Sequence, residues 1–230
     1  MSFGLGRGRQ LDPAPGSVGI SAQELGPLPD EVLTNPLAGR LDPRRWFPSP
    51  AQPFEIEIGS GKGTFLLNHA AECLGVNFLG IEWANEFYSY AADRIRRRGL
   101  ENVRMLRADA TEFLKWRVPD GIVRVIHLYY SDPWPKSRHH KNRVVQDSFL
   151  GEAHRVLEPG GELRIVTDHP ELWAWCEEHF GRWCGAAAKF ERLVFEPPSW
   201  VEGDDLVGTN YERKTRAAGR PPNAAVLRKS

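Results

Sequence analysis

The sequence predicts a doubly wound, mostly parallel α/β sheet in a single domain over residues 51–230, preceded by an irregular arm over residues 1–50. Two observations carry this expectation. From Phe54 onward, short apolar runs alternate with amphipathic stretches, the pattern of strands alternating with helices. Nearly every run ends in glycine or an acid, which is where a parallel sheet gathers its ligand-binding loops. A chain of 230 residues with 41% hydrophobic content is long enough to bury one substantial core.

In chain order, the arm is rich in proline and glycine and shows no sustained periodicity. Phe54 to Ile58 is the first strand, and a glycine loop leads into a helix over Thr64 to Glu72. Asn77 to Ile81 and Val103 to Leu106 are the next strands, separated by a helix over Asn85 to Arg98. A helix over Ala110 to Arg117 precedes the longest apolar strand, residues 122–130. Helices are expected over 144–157 and 170–180, flanking a strand over 162–166. The segments 190–195 and 210–215 are expected as two final strands.

No apolar stretch approaches membrane-spanning length, and Met1 to Arg7 lacks an apolar signal core, so the expected location is the cytoplasm with no membrane partner. Cys73, Cys176 and Cys184 form no CxxC pair and are odd in number, which argues against a disulfide framework or a thiolate zinc site. His139 and His140 are adjacent and show no ligand spacing with the other histidines, so no metal is expected. The formal net charge of zero is a sum of opposed segments. Residues 158–205 hold eleven acids against four bases, a net of −7, whereas residues 206–230 hold six bases against one acid, a net of +5. Arg94, Arg96, Arg97 and Arg98 form a further basic cluster, and local patterning of this kind steers polyanions.

The loop after the first strand reads Glu57-Ile58-Gly59-Ser60-Gly61-Lys62-Gly63. A dinucleotide fingerprint fails because Thr64 takes the third glycine position, and a P-loop fails because Gly63 follows Lys62. What remains, E-x-G-x-G-x-G, resembles the first motif of S-adenosylmethionine-dependent methyltransferases, which places Gly59, Gly61 and Gly63 against that cofactor. Acids stand where it would want them: Glu57 for the methionine ammonium, Glu82 at the second strand end for the ribose hydroxyls, and Asp109 after the third strand for the adenine amine.

The longest apolar strand runs directly into Ser131-Asp132-Pro133-Trp134-Pro135-Lys136-Ser137-Arg138-His139-His140-Lys141-Asn142-Arg143, one carboxylate followed by a cationic run without an acid. With Leu79-Gly80-Ile81-Glu82, Glu158-Pro159-Gly160-Gly161, Thr167-Asp168 and Thr209-Asn210-Tyr211-Glu212, this segment resembles the tRNA (guanine-N7-)-methyltransferases over residues 54–218. The resemblance implies a Rossmann-like methyltransferase fold, monomeric or homodimeric, that transfers a methyl group from S-adenosyl-L-methionine to a tRNA guanine, the variable-loop guanine at position 46. It implies a catalytic Asp132 that also meets the cofactor, and substrate contacts from Lys136, Asp168, Thr209, Asn210, Tyr211 and Glu212. Arg138, His139, His140, Lys141, Asn142 and Arg143 are expected on the RNA backbone. Asp168 is also expected to cap the helix that follows it. Ser131 stands where the family usually has proline and Trp173 where tyrosine is common, while Arg7-Gly8-Arg9 is similar to the family's basic N-terminal segment.

Guanine N7 carries a lone pair and no proton, so its methylation is a direct displacement that needs alignment and electrostatics but no general base. Asp132 can accept from guanine N1–H and the exocyclic amine, and Trp134 either stacks on a base or walls the pocket. Asp132-Pro133-Trp134 also loosely matches the Asp/Asn-Pro-Pro-aromatic loop of methyltransferases acting on exocyclic amines, although that loop's second proline is missing. A cofactor-dead RNA-binding scaffold is the non-enzymatic alternative, and the intact Gly59, Gly61, Gly63, Glu82 and Asp132 speak against it.

Overall fold

A computed structural model describes residues 4–6, 8–21, 23–185 and 189–230; Arg7 of the basic arm segment lies outside the described residues. The chain divides into two compact units, Met1–Pro119 and Asp120–Ser230.

In the first unit, β1 (Gly19–Ile20), β2 (Phe54–Ile58), β3 (Asn77–Ile81) and β4 (Val103–Leu106) pair in the order β1-β4-β3-β2, all parallel. Helices α1 (Thr64–Glu72), α2 (Asn85–Arg98) and α3 (Ala110–Arg117) fill the intervals where the sequence predicts them. Every residue of β2 and β3 is buried, Glu55 and Glu57 included, which is why these strands read as unbroken runs instead of alternating ones. Phe54, Leu66, Phe78, Ile95 and Met105 are fully enclosed, each contributing about 1.5–3 kcal/mol through removal of apolar surface from water.

The arm is more ordered than its composition suggests. Gly19 and Ile20 pair with Met105 and Leu106, extending the sheet by one short edge strand. Three single-turn 3₁₀ segments follow at Asp30–Leu33, Pro36–Gly39 and Pro43–Trp46. Arg40 donates from Nη1 to the carbonyls of Leu114, Lys115 and Val118 at 3.3, 2.6 and 2.9 Å, satisfying acceptors that the end of α3 leaves without helical partners. Gly39 lies so close to this helix end that a Cβ there would meet the Trp116 carbonyl oxygen at 2.8 Å. The arginine cluster of α2 is likewise turned to internal use. Arg96, Arg97 and Arg9 of the arm converge on the buried Asp93 at 3.0, 3.0 and 3.1 Å, and Arg94 donates to the Lys62 carbonyl and the Thr64 hydroxyl.

In the second unit, β5 (Val123–Tyr129) pairs parallel with β6 (Leu157–Thr167), and the order continues through β8 (Asn223–Lys229) to β7 (Phe190–Leu193), both antiparallel additions. Helices α4 (Asp147–Val156), α5 (Pro170–Trp183) and α6 (Asn210–Ala217) accompany them. The expected strand at 210–215 is α6 instead, and the last strand is β8, which the sequence reading passed over. Thr209 and Glu212 explain the difference: they have the spacing of a capping box, and the Thr209 hydroxyl accepts from Glu212 N at 3.2 Å. Among the described residues no helix is long and apolar enough to cross a membrane.

Candidate functional site: a glycine loop and a strained acidic loop

In the first unit the glycine loop leaves β2 with Gly59, Gly61 and Gly63 all at positive φ, 74°, 52° and 66°. A side chain at any of these would strain the backbone, and around Gly59 and Gly61 there is open space where a ligand can approach the main chain. Glu57 sits at the base of this loop, buried, with Oε2 lacking a hydrogen-bond partner among the described residues. Burial pushes its carboxyl up to about 8, the Ser60 hydroxyl opposing and the Glu82 charge adding. Glu82, at the end of β3, accepts from Gly61 N at 2.9 Å and Ala84 N at 2.8 Å, so its carboxylate is fixed by the same loop. Asp109 caps α3, and its Oδ1 takes Thr111 N, Thr111 Oγ1 and Glu112 N at 2.8, 2.6 and 3.2 Å. An orphaned buried carboxylate oxygen beneath an open glycine cradle fits a cationic ligand group, and two further fixed carboxylates fit a polyhydroxyl and an amine.

In the second unit Asp132 is exposed in a loop bounded by two strained residues, Tyr130 at φ 54° and Trp134 at φ 43°. Bulky residues reach the left-handed region only when their surroundings force them there, at about 1–3 kcal/mol each. The forcing groups are visible. Tyr130 packs on Tyr211 with ring centroids 5.0 Å apart, and Trp134 meets His139 edge-on at 5.7 Å. Arg143 donates from Nε to the Pro133 carbonyl at 2.9 Å while its guanidinium lies over Trp175 at 5.2 Å. Arg143 is only 3% exposed, so its expected place on the RNA backbone is corrected: it is an anchor of the loop, held by burial and stacking. Lys136, Arg138, Lys141 and Asn142 are exposed on the 3₁₀ turn Ser137–Asn142 or its cap, with His139 and His140 half-buried beside them. His140 packs edge-on against Trp175 at 5.7 Å.

Five expected substrate residues gather near this loop with different fates. Asp168 is buried and pairs with Arg220 at 3.0 Å; the cap of α5 is His169, whose Nδ1 accepts from Leu172 N, so the expected capping role of Asp168 is corrected. Thr209 caps α6 and Asn210 accepts from Arg213 at 3.3 Å. Tyr211 is exposed, and burial of part of its ring, then the Asp168 and Asp132 charges, push its hydroxyl up against the opposing Arg220. Glu212 is 0% exposed and accepts from the amides of Leu206, Val207 and Gly208 at 2.5, 2.9 and 3.1 Å. Its expected substrate contact is corrected to a structural one, because its oxygens are spent on folding the chain into α6. Tyr130, packed on Tyr211, and Arg220, paired with Asp168, belong to no motif singled out in the sequence. Tyr130 had one available signal, its place two residues before Asp132, whereas Arg220 lies far along the chain in a segment read only as basic.

The Methyltransf_4 family, described as "Putative methyltransferase", matches residues 51–223. A tRNA (guanine-N(7)-)-methyltransferase of Nitrobacter hamburgensis is 36% identical over 201 residues, covering 87% of this chain and 76% of that protein. Its counterpart in Rhodospirillum rubrum is 35% identical over 204 residues, 86% of this chain and 78% of the relative. Among solved structures, the aminoglycoside resistance methyltransferase NpmB1 superposes with a TM-score of 0.54 at 18% identity, covering 89% of this chain and 95% of its own. That likeness shows the Rossmann-like α/β methyltransferase fold expected from the strand-helix alternation. With the glycine cradle, its fixed acids and the strained acidic loop all lying inside the matched span, the chain belongs to the tRNA (guanine-N(7)-)-methyltransferase family.

Proposed function

We propose that this chain methylates N7 of a guanine in tRNA, using S-adenosylmethionine, and that its target is the variable-loop guanine at position 46. The observation that carries the reading is Asp132, an exposed carboxylate held at the centre of a doubly strained loop and followed by an exposed basic turn. Gly59, Gly61, Gly63 and Glu57 would hold the methionine end of the cofactor, Glu82 the ribose hydroxyls and Asp109 the adenine amine. When bound, the cofactor supplies an electrophilic methyl group on a sulfonium sulfur. Asp132 accepts from guanine N1–H and the exocyclic amine, fixing the ring and offsetting the positive charge that develops on the purine. Lys136 meets the target nucleotide, and Arg138, Lys141 and Asn142 hold phosphates, with His139 and His140 at their side. Asp168, Thr209, Asn210 and Tyr211 line the nucleotide's approach. No proton leaves N7, so no side chain is asked to act as a base.

Unmodified tRNA incubated with the protein and labelled cofactor, then digested to nucleosides, tests this directly. The expected product is 7-methylguanosine, absent when the position 46 guanine is replaced by adenine. Recovery of N2-methylguanosine or N6-methyladenosine would overturn the N7 assignment in favour of an exocyclic target. The proposed cellular location is the cytoplasm.

A further inference from the structure

The arm that precedes β2 forms one side of an open pocket of about 340 Å³ within the first unit. Its walls include Leu25 and Leu28 of the arm, Trp83 after β3, and Phe113 and Trp116 of α3, with Asp109 also on its lining. Hydrogen bonds hold the arm segment in place on both sides. Met105 N donates to the Val18 carbonyl at 2.8 Å and Arg107 N to the Ile20 carbonyl at 2.9 Å. Further along, Arg117 donates to the Gly26 carbonyl at 2.7 Å and Leu41 N to the Arg117 carbonyl at 2.8 Å. Residues 23–28 therefore lie between the end of β4 and the end of α3, beside the loop that delivers Asp109.

The lining has a chemical signature. Most of it is apolar and aromatic, and Trp83, 73% exposed, offers a broad flat face directly after Glu82. The polar member best placed for recognition is Asp109, whose cap bonds all converge on Oδ1, so Oδ2 is the oxygen available to an outside donor. A flat, largely apolar ring bearing one amine, attached to a ribose held by Glu82, fits this arrangement; the pocket suits an adenine base. We infer that the arm segment 23–28 is the outer wall of the adenine subsite, with Leu25 and Leu28 as the residues that cover the base. The inference rests on the cofactor assignment proposed above and assigns to the arm a cofactor-binding role that its composition did not reveal.

Calorimetry with two ligands tests it: S-adenosylhomocysteine, and S-ribosylhomocysteine, which keeps the ribose and amino acid but lacks the base. For the Leu25→Asp/Leu28→Asp double variant, affinity for S-adenosylhomocysteine is expected to fall about tenfold or more while S-ribosylhomocysteine changes less than about twofold, because only the base loses apolar cover. Leu25→Met/Leu28→Met should restore the wild-type preference. Both leucines are partly exposed, and Leu28→Ser carries the same comparison should the double variant unfold. Equal losses for both ligands, or no loss for either, would overturn the arm's role while leaving the cofactor assignment intact. A wild-type protein that binds neither ligand would instead overturn the cofactor assignment itself.

Discussion

The loop after β2 and the loop after β5 both present an acid at the end of a buried strand, yet they hold it by opposite means. Glu57 is buried beneath three glycines that adopt left-handed backbone without cost, and burial keeps its carboxyl protonated up to about 8. Asp132 is exposed, and its loop is shaped by two aromatic residues in conformations they disfavour, pinned by Arg143 from below. A pliable backbone suits a site where main chain must approach a ligand closely. A strained but anchored backbone suits a site where one side chain must stand still in water before a base arrives.

If the anchored loop works by aiming Asp132, removing the carboxylate should be the most damaging single change. Asp132→Ala is expected to lower kcat about 10³-fold, the scale of losing one preorganised electrostatic contact, with S-adenosylhomocysteine affinity within about twofold of wild type. Single-turnover kinetics and calorimetry check the two halves, and retained turnover would break the comparison. Arg143 is next. Arg143→Ala leaves the Pro133 carbonyl unpaired and empties the space over Trp175, so turnover should fall roughly 10- to 100-fold together with a lower melting temperature. Arg143→Lys should not rescue, because an ammonium cannot reproduce the stacked planar fork. The exposed pair behaves differently: Arg138→Ala/Lys141→Ala should weaken tRNA binding and reduce the salt slope of log K by about 1–2, with stability unchanged. Filter binding across a salt series separates the anchor from the grips.

These differences mark where the sequence was legible. The strands and helices from Phe54 to Arg117 were readable because a buried parallel sheet forces unbroken apolar runs and each helix begins at a glycine or acid turn. Glu57, Glu82 and Asp109 were readable as strand-end acids for the same reason. Glu212 and Arg143 were misassigned because a charged side chain in a motif carries no sign of which way it faces; only the fold shows that one is wrapped by three amides and the other lies on Trp175. Residues 210–215 form α6 and not a strand because the cap spacing of Thr209 and Glu212 outweighs any local strand propensity. The arm was unreadable because its order comes from bonds to β4 and α3, at sequence separations that local composition cannot register.

Burial gives Glu57 a pH signature. Glu57 ionises near 4.5 in the unfolded chain and about 8 in the folded one, so between those values the folded protein holds the extra proton. Its contribution to stability is full below pH of about 4.5 and is lost as pH rises through about 8, a swing on the order of a few kcal/mol. Glu57→Gln should flatten the fall in melting temperature over that window. A cationic ligand favours the carboxylate, so binding near pH 7 should release a proton, which calorimetry in buffers of different ionisation enthalpy would read as unequal apparent heats. Equal heats would mean that Glu57 does not meet the ligand's charge.

The smallest expected effect tests how the strained loop is held. The Tyr130 hydroxyl is buried and has no hydrogen-bond partner among the described residues, and burial first, then the Glu212 and Asp168 carboxylates, push its ionisation upward, so it stays a neutral phenol. Its ring, by contrast, packs on Tyr211 and fixes the left-handed turn into Asp132. If the ring alone matters, Tyr130→Phe removes an unpaired polar group and keeps the packing. The free protein should then gain up to about 1 kcal/mol, the lower end of what an unsatisfied buried hydroxyl costs, and kcat should stay within a fewfold of wild type. Tyr130→Ala, which deletes the ring, should lose both stability and turnover. Thermal unfolding of the three proteins decides it: a destabilised Tyr130→Phe would mean that the hydroxyl, and not the ring, holds the loop in its strained shape.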